Sequence, residues 1–229
     1  MIYDTILLDA DETLFDYPAA ARCALISTLS EYNFPFLNEE DIINEYQTIN
    51  HEMWKKFEQE KITRDELSTK RFEILFNRYN LKNDYKAINT FYLKKLGEGS
   101  QLLPDALELC SVISKKASLY IVTNGFNETQ ISRVERSKIA PYINKVYTSE
   151  IIGYQKPRLE FFEKVFSDLN IKEKSRVIIL GDNLSSDILG GKNAGITTCW
   201  YNPQKILNST DKIPDFEINN LLEFIQIVN

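Results

Sequence analysis

The stretch ILLDADETL, residues 6–14, runs from an apolar segment straight into two carboxylates, Asp9 and Asp11, and a threonine. Residues 6–8 are typical of a short buried strand. Ligands of open α/β folds bind at the carboxyl edge of the parallel strands, and this stretch places acidic side chains at such an edge. Alone, an Asp-x-Asp pair is as typical of a solvated turn or a helix cap.

Three more polar clusters follow apolar runs later in the chain. They are Thr123-Asn124-Gly125, Lys156-Pro157, and Gly181-Asp182 with Asp187. Each alone also fits a simpler role, since the first is typical of a capped turn and a single lysine of a surface charge. Four such clusters in one chain favour a catalytic site over separate turns.

The region after residue 117 alternates short apolar runs with helical patterns. It predicts strands at 119–122, 146–147, 177–180, 197–201 and 216–218, and helices at 128–137, 159–169 and 186–194. Strands that are nearly all apolar and alternate with helices indicate a parallel sheet covered on both faces. The predicted class is therefore α/β, with the first strand, residues 2–8, near the centre of the sheet.

Residues 16–97 show a different pattern. Helical periodicity covers 17–32, 39–60, 63–80 and 84–96, and no strand pattern separates these segments. We therefore predict an all-helical domain at 16–97 inserted into a core of residues 1–15 and 98–229. Residues 97–100 (GEGS) are predicted to be the return hinge, and Pro104 and Pro157 are predicted to lie in the first turns of the next helices.

The composition limits the kinds of molecule that the chain is expected to bind and the compartment in which it is expected to lie. The net charge of −6 argues against nucleic acid and anionic membranes as partners, because both recruit basic surfaces. The three cysteines are widely spaced and form no Cys-x-x-Cys pair, which is typical of free thiols in a reducing compartment. No signal-peptide pattern and no apolar run of about 18 residues is found, so the chain is predicted to be cytoplasmic.

The carboxylates suggest phosphoryl chemistry. Asp9 can attack the phosphorus of a phosphomonoester if a cation offsets the repulsion between the two anions. Parallel topology would bring Asp182 beside Asp9, and the oxygen ligands of these two residues suit Mg2+. Asp187 is predicted to hold a metal-bound water.

The other polar residues are assigned to the remaining parts of such a reaction. Asp11 is predicted to protonate the leaving group and later to deprotonate water. The Thr123 hydroxyl and the amides of Asn124 and Gly125 can bind phosphoryl oxygens. The Lys156 ammonium can neutralise both the nucleophile and the phosphoryl group.

In these four clusters the chain resembles the haloacid dehalogenase-like hydrolase superfamily over nearly its full length. The resemblance implies a Rossmann-like core, a helical cap of the C1 type and Mg2+-dependent catalysis through an aspartyl-phosphate. It also implies a metal site formed by Asp9, the Asp11 carbonyl and Asp182, with Asp187 acting through water. The founding dehalogenases lack an acid at the position of Asp11, so its presence indicates phosphoryl transfer.

Within that superfamily the chain is most similar to the pyrimidine 5'-nucleotidases. The similarity lies in residues 50–54 (NHEMW), Arg71-Phe72, Gln130 with Arg133, and residues 149–153 (SEIIG). It implies a nucleoside 5'-monophosphate as substrate, with Trp54 closing over the base and Asn50 or Arg71 binding its polar edges. Phe15 is predicted to line the entrance. The aromatic residues of this region are equally typical of a helical core.

Three alternatives remain open at this point. The first is a sugar-phosphate phosphatase or phosphomutase of the same superfamily, and the second is a non-catalytic regulatory module that binds Mg2+ or a nucleotide. The third, a phosphoacceptor signalling domain, is disfavoured because such domains are about half this length. The sequence does not specify an oligomeric state.

Overall fold

The computed structural model describes residues 2–35 and 38–228. The chain divides into two compact units. The core unit comprises Met1–Tyr17 and Ser100–Asn229, and the helical unit comprises Pro18–Gly99. The domain predicted at 16–97 differs from the helical unit by two residues at each end, and its role as a cap stays a prediction.

The core unit contains a six-stranded sheet in which every described pairing is parallel. Its strands are β1 (Thr5–Leu8), β2 (Ser118–Thr123), β3 (Ile143–Thr148), β4 (Val177–Gly181), β5 (Thr197–Tyr201) and β6 (Phe216–Ile218). The order β3-β2-β1-β4-β5-β6 places β1 in the interior of the sheet, between β2 and β4. The α/β class with a Rossmann-like parallel sheet is therefore confirmed.

The described residues of the helical unit form four helices, of which the second and third are clearly amphipathic. They are α1 (Tyr17–Glu31), α2 (Glu39–Glu58), α3 (Arg64–Arg78) and α4 (Tyr85–Glu98). Tyr46, Phe72 and Tyr92 meet in its core, with ring centroids 5.2–5.6 Å apart. Such aromatic contacts add to the free energy that burial alone supplies.

Helices cover both faces of the sheet in the core unit. They are α5 (Ala106–Ile113), α6 (Asn127–Arg136), α7 (Ser149–Ile152), α8 (Leu159–Leu169), α9 (Leu189–Ala194) and α10 (Leu221–Val228). Neighbouring residues of β1 point to opposite faces: Leu8 joins the core formed with α5 and α10, whereas Leu7 packs with Phe161 and Phe162 of α8. This two-sided burial explains why the strand is almost entirely apolar.

Several predicted boundaries are wrong near turns. Helix α5 begins at Ala106 and α8 at Leu159, so Pro104 and Pro157 lie in the turns that precede these helices. The helix predicted at 186–194 is instead a π-helical turn, Leu184–Ile188, followed by α9. The Asn183 side chain accepts hydrogen bonds from the amides of Ser185 and Ser186 and so begins this segment early.

Two further features concern the cysteines and the apolar character of the helices. Cys23 is exposed, Cys110 and Cys199 are buried, and all three are free thiols. Along residues 2–35 and 38–228, none of the helices combines the length and apolar character that crossing a bilayer requires.

Candidate active site

The candidate site lies where β1, β2 and β4 end. Leu8 pairs with Ile121 of β2 and with Leu180 of β4, so the residues after these strands meet at one edge. The Asp9 amide continues the ladder by donating to the Leu180 carbonyl at 2.9 Å. Parallel register is thus what brings together residues more than 100 positions apart.

The loop after β1 is a compact turn that fixes the first two carboxylates. The amides of Leu14 and Phe15 both donate to the Ala10 carbonyl, and the Glu12 amide donates to the Phe15 carbonyl. Glu12 adopts a left-handed conformation, with φ of 60°, which is uncommon for a residue with a side chain. Buried Ala10, Leu14 and Phe15 anchor the loop in the core.

Three carboxylates cluster at this edge of the sheet. Ligand oxygens of Asp9, Asp182 and Asp187 all lie within 4.8 Å of one another. The Thr13 hydroxyl lies 3.3 Å from Asp9 Oδ2 and 3.4 Å from Asp182 Oδ1. Thr13 is not among the residues predicted for the site, although its place at the end of Asp-x-Asp-x-Thr is a usable signal.

Lys156 is buried in the centre of this cluster. Its Nζ donates to Asp9 Oδ1 at 2.6 Å, to Asp187 Oδ1 at 2.6 Å and to the Val122 carbonyl at 2.7 Å. The Asn124 side chain holds the lysine backbone from both sides, since its Oδ1 accepts from the Lys156 amide and its Nδ2 donates to the Lys156 carbonyl. The side-chain amide of Asn124 therefore positions Lys156.

Burial and neighbouring carboxylates disfavour the charged forms of Asp9 and Asp182. Burial, reinforced by Asp187 and Asp11, raises the pKa of Asp9 to about 7 against the opposing effect of Lys156. Burial together with Asp9 and Asp187 also raises the pKa of Asp182 well above its usual range. Three carboxylates facing one ammonium form an oxygen donor set that fits a hard divalent cation such as Mg2+.

Asp187 is completely buried and has donors on both oxygens. Lys156 Nζ binds Oδ1, and the Asn183 amide binds Oδ2 at 3.1 Å. A Cβ at Gly181 would overlap the Asp187 carboxylate, so the glycine at the end of β4 makes room for this side chain.

The Asp11 carboxylate turns toward α6. Arg133 Nη1 forms an ion pair with Oδ1, and Gln130 Nε2 donates to Oδ2 at 2.6 Å. The Arg133 guanidinium lies over the Phe15 ring, 4.7 Å from its centroid. That ring is fully buried, so it supports the loop and offers no surface to solvent.

The residues after β2 also fall at this edge. The Thr123 hydroxyl accepts a hydrogen bond from the Gly125 amide at 3.0 Å, which closes the turn. A Cβ at Gly125 would overlap the Gln130 side chain, so this glycine allows Gln130 to reach Asp11.

The predicted base-binding residues lie in the helical unit. Arg71 is buried, and its guanidinium donates to Asn50 Oδ1 at 2.8 Å and to Asn89 Oδ1 at 2.7 Å. It therefore fixes the orientation of the Asn50 amide within that unit. Trp54 is half-buried and lies edge-on to Phe57.

Comparison with known proteins identifies the family of the chain. A sequence model of the family "haloacid dehalogenase-like hydrolase" matches residues 6–201. The HAD-hydrolase YfnB of Bacillus subtilis is 38% identical over 99% of this chain and 96% of its own length. Its magnesium-bound crystal structure superposes with a TM-score of 0.93 over 100% of both chains.

Two further relatives carry the name pyrimidine 5'-nucleotidase. PynA of Streptococcus pneumoniae is 34% identical over 100% of this chain and 96% of its own length. YjjG of Escherichia coli is 32% identical over 100% of this chain and 99% of its own length. Because the family match spans most of the chain and these relatives align along nearly all of it, the chain belongs to the haloacid dehalogenase-like hydrolases and is an enzyme of that family.

Proposed function

We propose that the chain is a Mg2+-dependent phosphomonoesterase that works through an aspartyl-phosphate on Asp9. The observation that carries the proposal is the buried Lys156, bonded to both Asp9 and Asp187 inside a cluster of three carboxylates. A buried cation held against a carboxylate at a strand end is suited to stabilising charge that a reaction transfers.

Asp9, Asp182 and the Asp11 carbonyl would hold the metal, with Asp187 close by. When bound, Mg2+ would reduce the repulsion between the phosphoryl oxygens and the carboxylates. The raised pKa values of Asp9 and Asp182 support this assignment, because burial and the neighbouring carboxylates disfavour the charged forms that a bound cation would stabilise.

The reaction divides into two steps. In the first, an Asp9 oxygen forms a bond to phosphorus while the bond to the leaving-group oxygen breaks, and Asp11 gives that oxygen a proton. In the second, water attacks the phosphorus of the aspartyl-phosphate, Asp11 takes a proton from the water, and Asp9 is released with inorganic phosphate. Lys156, the Thr123 hydroxyl and the amides after β2 hold the phosphoryl group throughout.

The proposed substrate is a nucleoside 5'-monophosphate with a pyrimidine base. Support comes from PynA and YjjG, which bear that activity in their names and align along the whole chain. In this proposal Asn50 and Trp54 recognise the base, and buried Arg71 acts by orienting the Asn50 amide. The acidic net charge favours a small substrate over nucleic acid, and a cytoplasmic location rests on the free thiols.

The test measures phosphate release with Mg2+ from a panel of nucleoside monophosphates and sugar phosphates. Turnover should favour pyrimidine monophosphates, stop with EDTA and disappear in Asp9→Asn. Asp211→Asn, at an exposed aspartate, should match the parent. Preference for a sugar phosphate would overturn the nucleotidase assignment alone, whereas no release from any ester would overturn the phosphatase itself and favour a binding module.

A further inference from the structure

Helix α6 holds the Asp11 carboxylate at two points. Arg133 binds Oδ1 and Gln130 binds Oδ2, so each carboxylate oxygen has a donor of its own. The two donors are three residues apart and therefore lie on one face of the helix. Two bonds to two oxygens fix the rotation of the carboxylate about its side chain, which a single bond would leave open.

The two donors are buried although the group they hold is not. Arg133 is 0% exposed and Gln130 2%, whereas the Asp11 side chain is 28% exposed. The Arg133 guanidinium also packs over Phe15, which belongs to the same loop as Asp11. The loop and the helix are thus joined through a buried cation, while the carboxylate itself stays accessible.

Stability does not explain the choice of Gln130. Among the described residues, its Oε1 is a buried oxygen with no hydrogen-bond partner, a condition that lowers the free energy of unfolding. The fold also requires glycine at position 125 to admit this side chain. A methionine of similar shape would avoid the buried orphan oxygen, so the contact with Asp11 is what the glutamine adds.

We propose that Arg133 and Gln130 are positioning residues that orient Asp11 for proton exchange with the leaving group. The proposal rests on the proposed function, because it takes Asp11 as the proton carrier. A displacement of about 1 Å in a catalytic group can reduce the rate about 100-fold. Loss of either donor therefore slows the step that needs the proton, although neither side chain touches the phosphoryl group.

The test compares kcat/KM for two esters, 4-nitrophenyl phosphate and an alkyl phosphate. For a mechanism with an aspartyl-phosphate, kcat/KM covers the steps through departure of the leaving group, and only the alkoxide needs strong protonation. Arg133→Met and Gln130→Met should lower kcat/KM by about 10- to 100-fold for the alkyl ester and by less than about 5-fold for the aryl ester. Arg133→Lys should recover part of the loss.

Arg136→Met is the matched control, because Arg136 is exposed on the same helix and bonds to Ser132. It should behave as the parent with both esters. Melting temperatures and circular dichroism establish that each variant folds. If Arg133→Met does not fold, Gln130→Met carries the test, since its melting temperature should equal or exceed that of the parent.

A double-mutant cycle separates positioning from a general structural effect. In the Asp11→Asn background, adding Gln130→Met should lower kcat/KM no further, because the group it positions is already disabled. Additive losses, or equal losses with both esters, would overturn this inference and leave the proposed function intact. A parent that hydrolyses no ester would overturn the proposed function, and this inference with it.

Discussion

Gly181 and Gly125 show how single small residues shape the candidate site. Each lies where a strand ends, and at each a Cβ would overlap a neighbouring polar side chain, Asp187 in one case and Gln130 in the other. Neither glycine has a positive φ, so glycine is needed at these two positions for space and not for backbone conformation. These glycines allow polar side chains to reach the strand ends.

Gly181→Ala should therefore disturb catalysis more than folding. The added methyl group displaces Asp187, which in turn releases Lys156, and we expect turnover to fall by about 10- to 100-fold. The free energy of unfolding should fall by about 1–3 kcal/mol, as is usual when a methyl group is forced into a packed region. Phosphate release measures the turnover, and urea denaturation measures the free energy of unfolding.

Gly195→Ala is the control for this prediction. Gly195 has a φ of 72°, and no neighbouring atom lies within 4 Å of the position that a Cβ would take, so alanine there strains the backbone without touching the site. It should reduce stability by about 1 kcal/mol and leave turnover unchanged. Parent-like turnover in Gly181→Ala would show that Asp187 does not need its present position.

Contacts between individual residues can be predicted from the sequence where strand topology alone brings the residues together. Asp9 and Asp182 are expected to be neighbours because parallel strands end at one edge, and the structure places them so. The partners of Asp11 are harder to predict, since Gln130 and Arg133 are related to it only through tertiary packing. Likewise, the sequence does not reveal that the Arg71 guanidinium donates hydrogen bonds to Asn50 and Asn89 within the helical unit.

At the scale of elements, the start of α3 shows how local sequence determines a boundary. The Thr63 hydroxyl accepts from the Glu66 amide at 3.2 Å, and Glu66 Oε2 accepts from the Thr63 amide at 2.9 Å. This reciprocal capping pair satisfies two donors that the helix leaves open. The helical pattern that the sequence predicts from residue 63 begins within one residue of this start.

The charge of Glu66, which both Lys70 and the capping pair stabilise, should make part of the stability depend on pH. The bond from Lys70, followed by the bond from the Thr63 amide, lowers the pKa of Glu66 from 4.5 to about 2. A lowered pKa in the folded state means that ionised Glu66 stabilises the protein above about pH 4.5, and that this contribution is lost as the pH falls toward 2.

Glu66→Gln should therefore be less stable than the parent at neutral pH, with a difference that shrinks as the pH falls from about 4.5 toward about 2. Urea denaturation followed by far-ultraviolet circular dichroism measures this difference at each pH. Glu73→Gln, in the middle of the same helix, is the control. A difference that stays constant across this range would show that the charge of Glu66 adds nothing to the stability of the fold.

Element boundaries are predicted best where burial decides them. The central strands contain the predicted apolar runs, and β5 and α8 have the predicted limits. The first strand, predicted at 2–8, begins only at Thr5. The predictions are wrong at Pro104, Pro157 and the segment after Asp182, where turns and a π-helical segment precede the helices. After Asp182 and around Lys156 the backbone follows the side-chain hydrogen bonds of Asn183 and Asn124, and before α5 Asp105 takes a left-handed conformation. Periodicity does not register either feature.

At the scale of the whole molecule, the carboxylates of the candidate site lower the stability of the core unit when no bound cation balances them. Asp9, Asp182 and Asp187 occupy a mostly buried edge with one lysine to balance them. Packed carboxylates of this kind destabilise a fold unless a cation joins them. Under the proposed function, Mg2+ would therefore couple activity to folding, because a ligand stabilises the state that binds it.

Asp182→Asn should consequently change stability in opposite directions with and without the metal. In EDTA the variant should melt at a higher temperature than the parent, because one of three crowded charges is gone. In saturating Mg2+ the order should reverse, since the parent gains about 2.7 kcal/mol at a metal concentration about 100 times the Kd and the variant gains much less. Differential scanning calorimetry gives the melting temperatures under both conditions, with exposed Asp211→Asn as the control.

Two outcomes would contradict this prediction. A variant stabilised by Mg2+ as strongly as the parent would show that Asp182 is not a ligand of the metal. A variant less stable than the parent in EDTA would show instead that the cluster depends on this carboxylate for its structure.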